Sequence, residues 1–137
     1  MEENISNIDL QNISMQNLAF IGDAVYNVYI RTYLVAKANE NTGKVHFKSI
    51  NYVSAKAQSY IMDNISDKLD ENEILIYKRG RNTNINNVSK NVDVVSYKKA
   101  TGFEALIGYL YLIKNTTRLD EIVNLSIQVV EGKTNEK

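Results

Sequence analysis

The chain of 137 residues is the size of one domain, is 44% hydrophobic and carries no formal net charge, so overall charge selects no partner. It has no cysteine and one histidine, His46, which excludes disulfides and thiolate metal sites and leaves any metal to oxygen ligands, the preference of magnesium, manganese and calcium. The opening MEENISNIDL is acidic and polar rather than a leader, and no apolar run is long enough to span a bilayer, so a cytoplasmic protein without membrane contact is expected.

Proline is absent, and helical spacing dominates throughout, which predicts an all-α domain of six or seven helices. The expected core covers about residues 15–131, within a single domain over 1–137. The first long helix is expected from about Gln16 to Ala38, with Leu18, Ile21, Val25, Val28 and Val35 as its apolar seam. NENTG (39–43) ends it. A second helical region follows over about 45–64, with Phe47, Ile50, Val53, Ala57, Tyr60 and Ile61 on its inner side. Asp70 and Glu73 have capping-box spacing and predict a short helix through Tyr77 into KRGRN (78–82). Residues 82–95 are polar and asparagine-rich and read as a long loop. A helix from about Tyr97 to Lys114 comes next. Thr117 is then expected to cap a last helix ending near Gly132, with 132–137 as a tail.

Charge is unevenly spread. Between Lys78 and Lys99 lie six basic residues (Lys78, Arg79, Arg81, Lys90, Lys98, Lys99) and one acid, whereas Asp63–Glu73 holds five acids and one lysine. One face is therefore suited to a polyanion, against the plainer reading of two solvated faces.

Two acids stand where acids are costly. LAFIGDAVYNVYI (18–30) and GFEALIGYLYLI (102–113) each contain a single charged residue, Asp23 and Glu104. A carboxylate in low dielectric needs a partner or a cation. Asp23 lies opposite the Leu18/Ile21/Val25/Val28 seam, yet its own side also holds Ala19, Phe20, Tyr26 and Ile30, so both sides of the helix need cover. One side can face the core and the other a second subunit, with Phe20 and Tyr26 as interface candidates. Gly22 precedes Asp23, and Gly108 lies one turn after Glu104. Mid-helix glycine costs about 1 kcal/mol relative to alanine, which is tolerable where helices approach closely. The two helices are thus expected to cross at these glycines and to join Asp23 with Glu104. Two adjacent carboxylates repel unless a cation lies between them, and magnesium accepts such a pair together with water and phosphate oxygens. This points to metal-assisted phosphoester hydrolysis beside a basic loop, without choosing between phosphodiesters and phosphomonoesters.

FIGDAVY (20–26) resembles the signature helix of ribonuclease III enzymes, and FEALIGYLYL (103–112) resembles their second catalytic helix. KRGRN (78–82) and VSAKAQ (53–58) look like the Mini-III branch. The resemblance covers roughly residues 15–131. It implies the helical endonuclease fold, a homodimer, and hydrolysis of double-stranded RNA to 5′-phosphate and 3′-hydroxyl ends. It also implies a role in maturing large-subunit (23S) ribosomal RNA, with a ribosomal protein as a candidate partner. Carried over by position, Asp23 and Glu104 become the catalytic metal ligands, with Mg2+ as cofactor and Mn2+ as substitute. Lys78, Arg79, Arg81, Asn82 and Lys90 become candidate RNA contacts. The branch lacks a separate double-stranded-RNA-binding domain, and none is expected here. Where the larger enzymes carry further acids this chain has Gln16, Ala19 and Thr101. Its metal shell must therefore draw on water, on Gln16 or Thr101 oxygens, or on RNA phosphates. The competing readings are a non-catalytic RNA-binding or ribosome-assembly module, disfavoured by retention of both acids, and a small-nucleotide phosphohydrolase, disfavoured by the single histidine.

Overall fold

The computed structural model describes residues 1–83 and 93–135, and the expectations for Lys90 and most of the 82–95 loop lie outside these residues. The described residues form seven α-helices and no strand, as the all-α reading expects. They are α1 (Glu2–Ser6), α2 (Met15–Lys37), α3 (Thr42–Val53), α4 (Ala55–Ile65), α5 (Glu71–Arg81), α6 (Val94–Leu112) and α7 (Thr116–Asn135), with one 3-10 turn over Ser66–Lys68. No described helix is long and apolar enough to cross a membrane.

Without proline, side-chain caps define where helices start. The side-chain oxygen of Ser14 accepts from the Asn17 N–H at 3.0 Å, that of Asn41 from Lys44 at 3.0 Å, and that of Ser54 from Ala57 at 3.1 Å. Asp70 and Glu73 form the expected reciprocal capping box, at 2.8 and 3.0 Å. Asp93 caps α6, so that helix begins three residues earlier than the apolar pattern suggests. The cap of α7 is Asn115, whose oxygen accepts from the Arg118 N–H at 3.2 Å, and not Thr117. The helix continues beyond Gly132 to Asn135. The 45–64 region is two helices, because extended backbone at Ser54 breaks it.

The core is built around α6, which is buried on most of its circumference by α2, α4, α5 and α7. Phe103, Leu106, Ile107 and Leu110 pack there with Tyr26 and Ile30 of α2, Ile61, Met62 and Ile65 of α4, and Ile122 of α7. The buried face of α2 is Met15, Leu18, Ala19, Gly22, Tyr26, Ile30 and Leu34. This corrects the expected seam: Leu18 belongs to it, but Val28 is 63% exposed and Val35 is exposed as well. The sequence reading followed valines; the structure buries the larger tyrosine and the small residues that permit close approach. The same error recurs in α3, where Phe47, 74% exposed, and Ile50 face outward while Val45, Ser49 and Tyr52 face in.

A charged pin ties α5 to α7. The Arg118 guanidinium donates two hydrogen bonds of 2.8 Å to the buried Glu73 carboxylate and a third, also 2.8 Å, to the Lys68 carbonyl. Such bidentate pairing is what allows a buried carboxylate to stay charged. It holds the Glu73 carboxyl below its usual range.

Glycines set the spacing around α6. A Cβ on Gly22 would collide with the Glu104 carbonyl, and one on Gly108 with the Leu18 carbonyl. On the other side of α6, a Cβ on Gly102 would meet the Tyr77 carbonyl at 2.6 Å, and one on Gly80 would meet Gly102 Cα at 3.0 Å. Because these obstacles are mostly backbone atoms, no rotamer change relieves them. Gly108→Ala should therefore destabilise the fold by at least about 3 kcal/mol, the upper end of overpacking costs, despite alanine's better helix propensity. Chemical denaturation would measure it, and a stability within about 0.5 kcal/mol of wild type, the scale of a neutral surface change, would disprove the tight crossing.

Candidate active site

Asp23 and Glu104 project from α2 and α6 at the place where Gly22 and Gly108 let the two backbones touch. The expected juxtaposition is present: the two carboxyl groups interact directly. Three residues beyond Asp23, the Tyr26 ring packs edge-on against Phe103, with centroids 4.9 Å apart and planes at 84°. That contact fixes the rotation of each helix about its axis, and thereby the direction of the acid next to it.

The two acids differ in environment. Asp23 is exposed, and its Oδ1 and backbone carbonyl accept from the Asn27 side-chain amide at 3.1 and 2.8 Å. Glu104 is largely withdrawn from water. Burial first, and the neighbouring Asp23 second, push its carboxyl up to about 9. Among the described residues neither acid is ion-paired to a lysine, arginine or histidine. This is the opposite of Glu73, and it leaves a site whose charge is unbalanced from within.

A third side chain reaches the pair. Gln58 of α4 is 1% exposed, its Nε2 donates to the Val53 carbonyl at 3.2 Å, and its amide also acts on Glu104. Its Oε1 is buried without a hydrogen-bond partner. The sequence reading noted VSAKAQ without giving Gln58 a role, and it missed Asn27, whose spacing of four residues from Asp23 was the available signal.

The donor set suits a hard divalent cation. No group of three or more His, Cys, Asp or Glu side chains is gathered among the described residues, so a cation here would take two carboxylates and complete its shell with water, neutral oxygens and substrate, as Mg2+ does. Ala19 is buried and offers no ligand, and the Thr101 hydroxyl donates to the Tyr97 carbonyl at 3.0 Å.

The basic end of α5 lies beside this pair, since Gly80 abuts Gly102 and Ala105 on the turn carrying Glu104. Lys78, Arg79 and Asn82 are exposed. The Arg81 guanidinium sits 5.6 Å from the Tyr77 ring centroid and donates to Asn82 Oδ1 at 3.1 Å, which preorders it. The acidic and basic stretches are not separate faces, because Lys99 pairs with Asp63 at 2.8 Å and Glu73 is spent on Arg118.

The interface candidates divide. Phe20 is 79% exposed. Tyr26 is fully buried inside the chain, where its hydroxyl donates to the Tyr52 carbonyl at 3.0 Å, so the expectation that it faces a second subunit is corrected. A side chain serving the Phe103 contact from within the core has no surface left for a partner.

The Ribonuclease III domain model matches residues 16–115. The chain is 47% identical over 131 residues to the Mini-ribonuclease 3 of Clostridium tetani, covering 94% of this chain and 86% of that protein. It is 47% identical over 127 residues to the Mini-ribonuclease 3 of Streptococcus pneumoniae, covering 91% and 99%. A crystal structure of a Fusobacterium nucleatum protein superposes with a TM-score of 0.79 at 35% identity, covering 88% of this chain and 96% of that one.

The raised Glu104 carboxyl has a measurable consequence. Between its ordinary value of 4.5 and about 9, the folded state holds a proton that the unfolded chain has released. The metal-free protein should therefore lose stability as pH rises through that window. Glu104→Gln removes this term, so its melting temperature should gain on wild type from pH 5 to pH 8. Added Mn2+ should close the gap at pH 8 by stabilising wild type alone. Melting curves that run parallel across the range would show that Glu104 is not desolvated.

Proposed function

We propose that this chain, which belongs to the ribonuclease III family, is a divalent-metal-dependent endoribonuclease that cuts double-stranded RNA to 5′-phosphate and 3′-hydroxyl ends. The observation that carries the proposal is the meeting of Asp23 and Glu104 at the glycine crossing without a cationic side chain to balance them. The names of its relatives support ribonuclease chemistry, and maturation of 23S ribosomal RNA in the cytoplasm, with a ribosomal protein as partner, is the role we assign on that basis.

Asp23 and Glu104 would hold the cation, Mg2+ with Mn2+ as substitute. When bound, it supplies Lewis acidity, which makes water an effective nucleophile near neutral pH and offsets charge gathering on the phosphoryl oxygens. The chain's own groups orient the reaction. Asn27 holds Asp23, the exposed acid, toward the solvent side where RNA arrives. Water adds to phosphorus and the bond to the 3′-oxygen breaks, so the phosphate stays with the 5′ end and the 3′-oxygen takes a proton. A-form RNA presents phosphates and 2′-hydroxyls rather than base edges, and Lys78, Arg79, Arg81 and Asn82, with Lys90, are the groups we assign to them.

Asp23→Asn keeps shape and removes charge. It should lower the single-turnover rate on long duplex RNA with Mg2+ by at least about a thousandfold, equal to roughly 4 kcal/mol of barrier, while circular dichroism stays that of wild type. A folded variant that still cuts at the wild-type rate would mean a non-catalytic RNA-binding or ribosome-assembly module.

We further propose a homodimer. Phe20, Ala24, Val28 and Val35 form an exposed, largely apolar stripe on α2, and grooves lined by Val25, Val28, Tyr29, Leu119, Val123 and Ile127 adjoin it. Apolar surface of this kind is what an isologous interface covers. Phe20→Asp should shift sedimentation from dimer to monomer at micromolar concentration; a variant that stays dimeric would remove this face from the interface.

A further inference from the structure

We propose that Gln58 is a positioning residue for Glu104: its amide, anchored on the Val53 carbonyl, turns a second N–H toward the Glu104 carboxyl and fixes its orientation in the site. The inference rests on the reading of Asp23 and Glu104 as the metal-binding pair.

The break at Ser54 makes the geometry possible. The last carbonyls of α3 have no helical acceptor role left and need donors from elsewhere. The Tyr26 hydroxyl satisfies Tyr52, and the Gln58 Nε2 satisfies Val53 at 3.2 Å. A carbonyl only accepts, so the nitrogen of the Gln58 amide, not its oxygen, must point there. The same nitrogen has a second N–H. The amide acts on Glu104 in the sense that favours its anion, against burial and against Asp23. One primary amide thus links a helix end of fixed position to the buried member of the carboxylate pair.

The cost side supports a role in the site over one in packing. Gln58 is 1% exposed, and its Oε1 has no hydrogen-bond partner. Methionine has nearly the same volume and no polar atoms to satisfy, so for stability alone it is the better residue here. A side chain that breaks this local rule at the edge of a reacting pair is accounted for by what it does to that pair.

The decisive variant is Gln58→Met. Its melting temperature should equal or exceed that of wild type, because the orphaned oxygen is removed. Calorimetric affinity of the RNA-free protein for Mn2+, and the single-turnover rate at saturating RNA and metal, should each fall by about 10- to 100-fold, the usual effect of removing a residue that orients a metal ligand. RNA affinity without metal should not change. Gln58→Asn keeps the amide but shortens its reach. It should show the same losses and carries the test if the methionine variant does not fold. Unchanged Mn2+ affinity and rate in a folded variant would overturn the proposal, as would losses of rate that simply follow a lowered melting temperature. Asp23→Asn and Glu104→Gln run beside it as controls. If they are inert and the Gln58 variants are wild type, only the positioning role fails; if they too retain full activity, the active-site reading fails and this inference with it.

Discussion

Everything in this molecule that bears on chemistry depends on how close α2 comes to α6. Two helices with side chains at the contact pack about 8–10 Å apart. Here Gly22 and Gly108 remove the Cβ atoms that would hold them at that distance, and each backbone rests on a carbonyl of the other, Glu104 and Leu18 respectively. Asp23 and Glu104 are the charged neighbours of this contact. Separating the helices by one methyl group on each side would take the carboxyls out of mutual reach, so backbone approach and site formation are the same event. Gly102 and Gly80 repeat the device on the far side of α6 and bring the basic end of α5 to the same turn.

The crossing was legible in the sequence because it consists of anomalies: a glycine within an otherwise regular helix next to the one charge that helix carries, found twice. The helix order and the Asp70–Glu73 box were legible for a related reason, since caps depend on spacing along the chain alone. The side of each helix that faces inward was not. An apolar seam of valines and a buried face of Leu18, Ala19, Gly22, Tyr26 and Ile30 are equally periodic, and hydrophobicity does not distinguish them. Only the shape of the partner does. Tyr26 is inside because Phe103 and the Tyr52 carbonyl complete a place for its ring and hydroxyl, and both come from elements remote in sequence. Phe20, six residues earlier, remains outside because nothing in the chain covers it.

Gln58 was illegible for a further reason. A glutamine in a short polar helix is ordinary, and nothing in AKAQSY marks it. Its significance arises from an extended residue at Ser54 that frees the Val53 carbonyl, and from the α4–α6 packing that carries it toward Glu104. Residues that position others are defined by relations among three elements, and a reading along one chain segment has no access to such relations.

Glu73 and Glu104 show what distinguishes a structural carboxylate from a functional one in the same fold. Both are glutamates on helices packed against the core, and both are shielded from water. Glu73 receives the Asp70 backbone N–H and two bonds from Arg118, so every cost of its burial is met within the chain and its carboxyl is held low. Glu104 meets a second carboxyl and one amide, and is pushed up to about 9. The chain has sixteen basic side chains, and it directs one of them across two helices to Glu73 while leaving Glu104 without any among the described residues. An arginine beside Glu104 would stabilise the fold, but it would occupy the position a cation needs and cancel the charge that attracts it. The imbalance at Asp23 and Glu104 is therefore a stability cost that makes sense only if something positive comes from outside.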